Sequence, residues 1–243
     1  MMGKEVFARL RTRYSNISLF QDSGFLAGER MEEREEGLVF VISAPSGTGK
    51  TTLVRKVMEQ LPDLHFSVSY TTRAPRANER EGEDYYFVSS AAFQKMVERG
   101  EFLEWAEVLG NRYGTTLTSV KQFTSRGMDL ILDIDSQGAK KVKQEVDQTV
   151  LIYILPPSLE VLRERLIKRG LDSPEMARLR LASAHRDIEE AHWYQYLIIN
   201  ERIEEAVEKL KAIIIAERCR RDKASILEEK KNKWEEHHGK DYS

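Results

Sequence analysis

The sequence predicts an α/β fold built around a parallel sheet, because short apolar runs alternate along the chain with segments of helical spacing. The first apolar run, at residues 38–43, reads LVFVIS and lies between Gly37 and a Pro-Ser-Gly turn. A continuous apolar run of this length is typical of a strand buried on both faces. Residues 71–84 are polar and turn-rich, and the alternation is interrupted over residues 70–117, so we expect a lobe inserted into the parallel core.

The other elements follow from hydrophobic spacing and from residues that begin or end a helix. An apolar stripe gives residues 50–61 a helical face, and Pro62 ends that helix. Ser89 and Ser90 are suitable caps for a helix that Gly100 ends. Further strands are predicted at residues 65–69, 85–88, 102–108, 129–135, 150–155 and 198–199, and further helices at 118–126, 137–146, 159–168 and from 201.

Composition and charge exclude several classes of protein. The chain has 243 residues with 41% hydrophobic content, which suits one compact enzyme core with subdomains or a tail. Its 38 Lys and Arg residues nearly balance 40 Asp and Glu residues, and a net charge of -2 argues against a general nucleic-acid binder or a coat on an anionic membrane. No apolar run approaches the ~18–20 residues of a membrane-spanning helix. Because the single cysteine, Cys219, cannot form an internal disulfide, we expect a reducing, cytoplasmic environment.

Both ends of the chain are charged and lack clear periodicity. We expect residues 1–36 to form a flexible N-terminal extension and residues 223–243 a charged C-terminal tail. Met31 stands just before the first predicted strand, so one hypothesis is that translation starts there. Mass spectrometry of the native protein tests this hypothesis, and an intact Met1 end would remove it.

The strongest functional signal is a glycine-rich turn between the first predicted strand and the first predicted helix. Gly47 and Gly49 allow backbone N–H groups to turn toward a phosphate, and the helix that begins near Lys50 adds the positive end of its dipole. Lys50 supplies a full charge for the β- and γ-phosphates, and the Thr51 hydroxyl can ligate Mg²⁺. By itself this motif does not separate a kinase from a GTPase or ATPase switch. We assign triphosphate binding to Ala44, Pro45, Ser46, Gly47, Thr48, Gly49, Lys50, Thr51 and Thr52.

A second set of motifs lies in the interrupted stretch. Arg73 and Arg76 flank Pro75, which fixes the local turn so that both guanidinium groups can point at one anion. Downstream stand Gly-Glu-Asp-Tyr at 82–85, Phe-Leu-Glu-Trp at 102–105, Gly-Asn-Arg-Tyr-Gly-Thr at 110–115 and Leu-Asp-Ile-Asp at 132–135. Together with the phosphate loop, these motifs closely resemble the guanylate kinase family over about residues 37–220.

The resemblance implies a fold and an activity. The fold is a three-layer P-loop α/β fold with a parallel core sheet, an inserted mixed α/β lobe that binds GMP, and a helical lid. The activity is transfer of the γ-phosphoryl group of ATP to GMP, giving ADP and GDP, with Mg²⁺ as cofactor. Whether dGMP is also an acceptor stays open at this point. We expect no nucleic-acid or membrane partner and leave the choice between monomer and homo-oligomer open. The expected domain spans residues 37–222, with its core at 37–70, 118–160 and 186–222, the GMP-binding lobe at 71–117 and the lid at 161–185.

The resemblance also assigns the GMP site. The guanidinium groups of Arg73 and Arg76 are expected to bind the GMP phosphate through charge-assisted, partly bidentate hydrogen bonds. Glu104 is expected to read guanine, because a carboxylate only accepts hydrogen bonds and guanine offers N1–H and N2–H₂ donors side by side. Adenine presents a lone pair at N1 instead, and such an unpaired contact discriminates by ~10⁴-fold or more. The matching residues are Ser69, Arg73, Arg76, Tyr85, Glu104, Tyr113, Thr115 and Asp135.

Two acidic residues are expected beside the phosphates. Asp133 and Asp135 lie two apart in a predicted strand, so we expect them to share a face. By resemblance, one holds a metal-bound water and the other contacts the GMP side. The sequence alone does not divide these roles; our assignment is Asp133 for the metal-bound water, beside Thr51, and Asp135 for GMP.

Segment 163–180 resembles the family's lid. Arg165, Arg169 and Arg180 are candidates to reach over the transferring phosphate, although Arg165 also suits a solvated helix face. Asn200 matches a residue near adenine and is assigned to ATP binding. The residues expected to act in catalysis are Lys50, Arg73, Asp133, Arg169 and Arg180.

Three alternatives remain at this point. A non-catalytic guanylate kinase-like interaction module would have lost a working phosphate loop, whereas Lys50, Thr51, Arg73 and Arg76 all stand here. A kinase of another monophosphate, such as AMP or UMP, is disfavoured by Glu104. A P-loop switch GTPase is disfavoured because the chain has no obvious Asn-Lys-x-Asp signature.

Overall fold

The computed structural model of this chain describes residues 36–76, 79–169 and 174–221, with residues 226–227 and 230–231 beyond them. Almost all of the predicted N-terminal extension, including Met31, and most of the C-terminal tail therefore lie outside the described residues. In chain order the strands are β1 (Val39–Ser43), β2 (Leu64–Phe66), β3 (Tyr70–Thr71), β4 (Tyr86–Phe87), β5 (Phe102–Val108), β6 (Asn111–Thr116), β7 (Asp129–Asp133), β8 (Thr149–Leu155) and β9 (Tyr196–Ile199). The α-helices are α1 (Lys50–Met58), α2 (Ser90–Glu98), α3 (Leu117–Thr124), α4 (Ser136–Glu145), α5 (Leu159–Arg169), α6 (Pro174–Glu189) and α7 (Ile203–Arg221).

A parallel sheet forms the core, as the sequence predicts. Its described strands run in the order β2-β7-β1-β8-β9, and every neighbouring pair is parallel. Helices cover both faces, so the central strand β1 is buried along its whole length. Phe40 and Ile42 pack on one face with α1 and α7, whereas Val39 and Val41 pack on the other face with α3 and α4.

Strands β3, β4, β5 and β6 form a second, mixed sheet in the order β4-β3-β6-β5. Strand β3 is parallel to β4, and β6 is antiparallel to both β3 and β5. Helix α2 packs Phe93 against the sheet, with its ring centroid 4.5 Å from that of Phe102. Ser89 caps α2 by accepting a hydrogen bond from the Ala92 N–H at 3.1 Å, which confirms one of the two caps considered.

Helices α5 and α6 form a separate pair with a small core of Leu162, Leu166 and Ala184. This pair rests on the glycine-rich turn, because a methyl group at Gly47 would come within 2.8 Å of Leu166. A single 3₁₀ turn, Glu190–Trp193, connects α6 to the edge strand β9. Among the helices that the structure describes, none combines the length and apolar character needed to cross a bilayer.

One predicted strand is too long. The sequence led us to expect a strand over residues 129–135 with Asp133 and Asp135 on one face, but β7 ends at Asp133. Asp135 is instead the N-cap of α4, and its Oδ1 accepts a hydrogen bond from the Gly138 N–H at 2.8 Å. An aspartate at this position satisfies one of the free N–H groups of a helix start. The expectation of a shared strand face is therefore wrong, and the two carboxylates belong to different elements.

Candidate functional site

The turn between β1 and α1 forms a backbone cradle. Gly47 and Gly49 have φ angles of 91° and 97°, which glycine adopts readily and other residues rarely do. Gly49 is the N-cap of α1, and within the described ranges no side chain caps this helix end. The first N–H groups of α1 and the positive end of its dipole therefore remain available to an anion, which makes this turn suited to phosphate.

Lys50 and Asp133 form an ion pair beside this cradle. Lys50 is the first residue of α1 and Asp133 is the last residue of β7, the strand next to β1. Both side chains are 18% exposed, so the pair is sheltered but reachable. Thr51 and Thr52 follow in the first turn of α1 and are exposed. The structure thus brings together the donor-side residues that the sequence predicts.

Two residues far away in the sequence donate hydrogen bonds to the backbone of the phosphate loop. The Thr48 carbonyl accepts hydrogen bonds from Asn200 Nδ2 at 2.7 Å and from Arg165 Nη1 at 3.1 Å. Arg165 Nη2 also donates to the Asn200 carbonyl at 3.0 Å. This positioning role was missed in the sequence, which placed Asn200 near adenine and Arg165 near the phosphates or on a solvated face. No local motif signals it, because the partners lie 117 and 152 residues from Thr48.

Asn200 keeps one polar atom available. Its side-chain Oδ1 is buried and has no hydrogen-bond partner among the described residues. A buried amide oxygen without a partner is costly, so the site suits a ligand that donates a hydrogen bond there. This atom is compatible with the predicted location of Asn200 near adenine.

Besides Arg165, a second predicted lid arginine, Arg180, reaches the phosphate loop. Its Nη1 donates a hydrogen bond to Ser46 Oγ, which links helix α6 to the loop. Arg169 is the last residue of α5, and its side chain lies outside the described residues. The prediction for Arg169 therefore stays a prediction.

The predicted arginine pair converges on one carboxylate. Arg73 donates to the two oxygens of Glu79 at 2.8 and 2.9 Å. The Arg76 backbone N–H donates to Glu79 at 2.8 Å, and the Arg76 guanidinium lies 3.6 Å from it. Burial alone would raise the pKa of Glu79, but the hydrogen bonds and charges of the two arginines lower it. Glu79 was missed in the sequence, yet it shows that both arginines can act on one anion.

Tyr85 lies between the two anion sites. The Arg73 Cζ atom is 5.3 Å from the centroid of the Tyr85 ring, which is itself 5.9 Å from the Tyr113 ring. Burial raises the pKa of the Tyr85 hydroxyl, and the negative charge of Asp133 raises it further. Asp133 also pairs with Lys50, so its charge acts both beside the phosphate loop and on the Tyr85 hydroxyl next to Arg73.

A third group of predicted residues is buried near the second sheet. Glu104 is 4% exposed, and Ser69 and Thr115 are buried as well. The register of β5 against β6 shifts between Phe102 and Glu104, so that Glu104 pairs with Thr115. Irregularities of this kind re-aim side chains, and this one places a carboxylate inside the lobe. Thr115 Oγ1 is also buried and has no well-formed hydrogen bond within the described ranges.

The environment of Glu104 is poorly suited to a charge. Burial raises the pKa of Glu104 to about 7, and the charge of Asp135 adds to this rise. The nearby Thr115 hydroxyl, although not in good hydrogen-bonding geometry, and the ammonium group of Lys141 act in the opposite direction. A buried carboxylate with so little compensation is stabilised by a ligand that presents N–H donors to it.

The oxygen donors beside Lys50 fit a magnesium ion that is held mainly by a nucleotide. In the part of the chain that the structure describes, no group of three or more His, Cys, Asp or Glu side chains is placed to hold a metal. Mg²⁺ usually keeps several waters and takes one or two protein ligands together with substrate phosphates. The Thr51 hydroxyl and the Asp133 carboxylate are donors of this type, so the residues present fit the ion.

Comparison with known protein families gives a match over most of the chain. The family model described as guanylate kinase matches residues 37–217. This range contains both sheets, the phosphate loop, the arginine pair and Glu104.

Individual proteins agree with the family match. A guanylate kinase of Geobacter metallireducens is 50% identical over 187 residues, which are 77% of this chain and 92% of that protein. A guanylate kinase of Clostridium perfringens is 42% identical over 209 residues, or 85% of this chain and 97% of that protein. The crystal structure of a guanylate kinase from Anaplasma phagocytophilum superposes with a TM-score of 0.64 at 36% identity, covering 75% of this chain and 87% of that one.

Proposed function

This chain belongs to the guanylate kinase family and is an ATP:GMP phosphotransferase, and we propose that the two anion sites described above face each other and carry the transfer. The observation that supports this proposal most directly is that the charge of Asp133 acts both on Lys50 and on the Tyr85 hydroxyl next to Arg73. Phosphoryl transfer depends mainly on alignment and charge neutralisation, so two anion sites that face each other suit this chemistry.

On the donor side, the cradle of residues 44–52 binds the triphosphate of ATP. Backbone N–H groups at the start of α1 bind phosphate oxygens, and Lys50 leaves Asp133 to neutralise the β- and γ-phosphates. Arg180 reaches the loop from α6 and adds charge near the transferring group. Asn200 Oδ1 accepts a hydrogen bond from the adenine amino group.

Mg²⁺ is the cofactor in this proposal. Thr51 and Asp133 would hold it, Asp133 through a water molecule, and the ion would neutralise charge on the phosphates. Arg169, at the end of α5, completes the set of lid cations.

On the acceptor side, Arg73 and Arg76 exchange part of their contact with Glu79 for the GMP phosphate. Tyr85 and Tyr113 border this position, and their hydroxyl groups donate hydrogen bonds to phosphate oxygens. The raised pKa of Tyr85 keeps its proton in place for this purpose.

The base is read by oxygen atoms of the second sheet and of the start of α4. Glu104 accepts from N1–H and N2–H₂ of guanine, and buried Ser69 and Thr115 and half-buried Asp135 supply further polar atoms around the ring. None of these assigned contacts involves the ribose 2′-hydroxyl, so we propose that dGMP is also an acceptor.

The part of the α5–α6 pair that lies in residues 161–185 acts as the lid, and residues 71–117 act as the GMP-binding lobe of a domain that spans 37–222. Closure of both over the core excludes water, which would otherwise accept the phosphoryl group. We place the reaction in the cytoplasm, where ATP and GMP occur together, and we assign no nucleic-acid or membrane partner.

Steady-state turnover tests this proposal. ATP, Mg²⁺ and each of GMP, dGMP, AMP and UMP are supplied in turn, and we expect turnover with the two guanine nucleotides only. Lys50→Ala should abolish turnover without unfolding the chain, whereas Lys56→Ala, an exposed position on the same helix, should not affect it. Normal turnover by Lys50→Ala would remove the assignment of the phosphate loop.

A further inference from the structure

Gly138 lies in the first turn of α4 with no room for a side chain. A Cβ atom built at this position would lie 2.5 Å from Glu104 Oε2 and 3.0 Å from Glu104 Cδ. Real Cβ atoms essentially never approach another heavy atom to 2.5 Å, so any larger residue here requires Glu104 to move. Gly138 therefore contacts the Glu104 carboxylate, which we propose binds guanine.

The backbone of Gly138 gives no other reason for glycine. The residue is helical, with its N–H bonded to the Asp135 carboxylate at 2.8 Å. Glycine inside a helix costs about 0.5–1 kcal/mol relative to alanine because it loses more conformational freedom on folding. The local conformation thus favours alanine, and only the approach of Glu104 opposes it.

The backbone of Glu104 is held close to α4 and β6. Its strand β5 is tied to α4 by Lys141, whose Nζ donates to the Trp105 carbonyl at 2.9 Å. On its other side Glu104 pairs with Thr115 of β6. A side chain at position 138 would therefore displace the Glu104 carboxylate away from α4 while its backbone stays in place.

From this geometry we propose that Gly138 is a positioning residue for guanine specificity: the missing side chain sets the depth at which the Glu104 carboxylate lies. This inference rests on the proposed role of Glu104. A displacement of about 1 Å at a reading group costs up to about 100-fold in recognition of the substrate. The loss should concern the base and leave the ATP site unchanged, because the three atoms nearest to a Cβ at position 138 belong to Glu104 and Ile134.

The test is Gly138→Ala in the full chain, with Gln137→Ala as the matched control. Gln137 precedes Gly138 in the same helical turn and is exposed. Dissociation constants for GMP and ATP are measured separately by calorimetry, and kcat/KM is measured for GMP and for IMP, which lacks the 2-amino group. We expect Gly138→Ala to bind GMP about 10- to 100-fold more weakly and to lose much of its preference for GMP over IMP. ATP binding should change less than about twofold, and the control should resemble the natural chain.

Shortening the carboxylate provides a second readout. Glu104→Asp should weaken GMP binding in the natural chain but cost much less in a chain that already carries Gly138→Ala, because aspartate relieves the clash. The same double variant should recover thermal stability if Gly138→Ala alone folds poorly. Additive losses, or a failure to recover, would overturn the inference.

The outcomes separate this inference from the function on which it rests. If Glu104→Asp and Glu104→Gln leave GMP binding unchanged, the base-reading role of Glu104 is wrong. If those variants weaken GMP binding and Gly138→Ala leaves both GMP affinity and the GMP-to-IMP preference within about twofold of the natural chain, only the positioning role of Gly138 is wrong.

Discussion

The pH dependence of GMP recognition follows from the burial of Glu104. Its pKa is raised to about 7, and only the ionised carboxylate accepts hydrogen bonds from both N1–H and N2–H₂ of guanine. About 90% of this group is ionised at pH 8 and about 10% at pH 6. The part of the GMP affinity that depends on the carboxylate should therefore fall about tenfold from pH 8 to pH 6.

Glu104→Gln isolates this effect. Glutamine has nearly the shape of a protonated glutamate but does not titrate, and its NH₂ group would face donors on the base. We expect GMP to bind this variant about 100-fold more weakly than the natural chain at pH 8, the cost of an unpaired buried donor. Because protonation makes the natural chain resemble the variant, the ratio should shrink to about 10-fold at pH 6.

Calorimetric titrations of GMP into both proteins between pH 5.5 and 8.5 provide the measurement. The GMP phosphate also titrates, with a pKa near 6, but this affects both proteins equally and cancels in the ratio of their dissociation constants. A ratio that stays constant over this range would refute the reasoning, since it would mean that Glu104 keeps one protonation state throughout.

Further predictions concern stability and the donor site. The folded pKa of Glu104 lies above its ordinary 4.5, so the folded chain retains a proton that the unfolded chain has lost, and stability falls as pH rises between 4.5 and about 7. Thermal unfolding of Glu104→Gln and of the natural chain at pH 5 and pH 8 measures this effect. From pH 5 to pH 8, the free energy of unfolding of Glu104→Gln should rise relative to that of the natural chain by at most roughly 3 kcal/mol. Arg218→Ala removes the guanidinium that donates to buried Asp129 at 2.6 Å and should destabilise by about 3 kcal/mol in urea unfolding, whereas exposed Arg202→Ala should cost under about 0.5 kcal/mol. Arg165→Ala should weaken ATP binding about 10-fold and leave GMP binding unchanged in calorimetry, because one donor to the back of the phosphate loop is lost; equal losses for both nucleotides would contradict this.

The features that the sequence predicted correctly have local causes. The turn between β1 and α1 follows from two glycines between a strand and a helix, and Ser89 caps α2 through a neighbour three residues away. The buried strand β1 was predicted from its uninterrupted apolar run, because both faces of a central parallel strand are covered. In each case the information lies within a few residues.

The features that the sequence did not indicate depend on distant partners. Strand β6 contains Asn111, Arg112 and Thr115 and has little strand-like patterning; its pairing with β5 and β3 determines its conformation. The contacts of Arg165 and Asn200 with the Thr48 carbonyl likewise require the folded chain. Asp135 was misplaced because an aspartate after an apolar run fits both a strand end and a helix cap. In the structure it caps α4.

One short segment connects the donor site with the base-reading site. Asp133 pairs with Lys50 at the phosphate loop, Asp135 caps α4, and Gly138 lies against Glu104. Lys141, one turn further along α4, bonds to the second sheet through a backbone carbonyl. Because a helix is stiff over this length, a shift of the strand end at the phosphate loop displaces the surface on which Glu104 rests. We therefore expect that a movement of this segment on binding of one nucleotide changes the affinity for the other, and binding linkage requires the two affinities to change by the same factor.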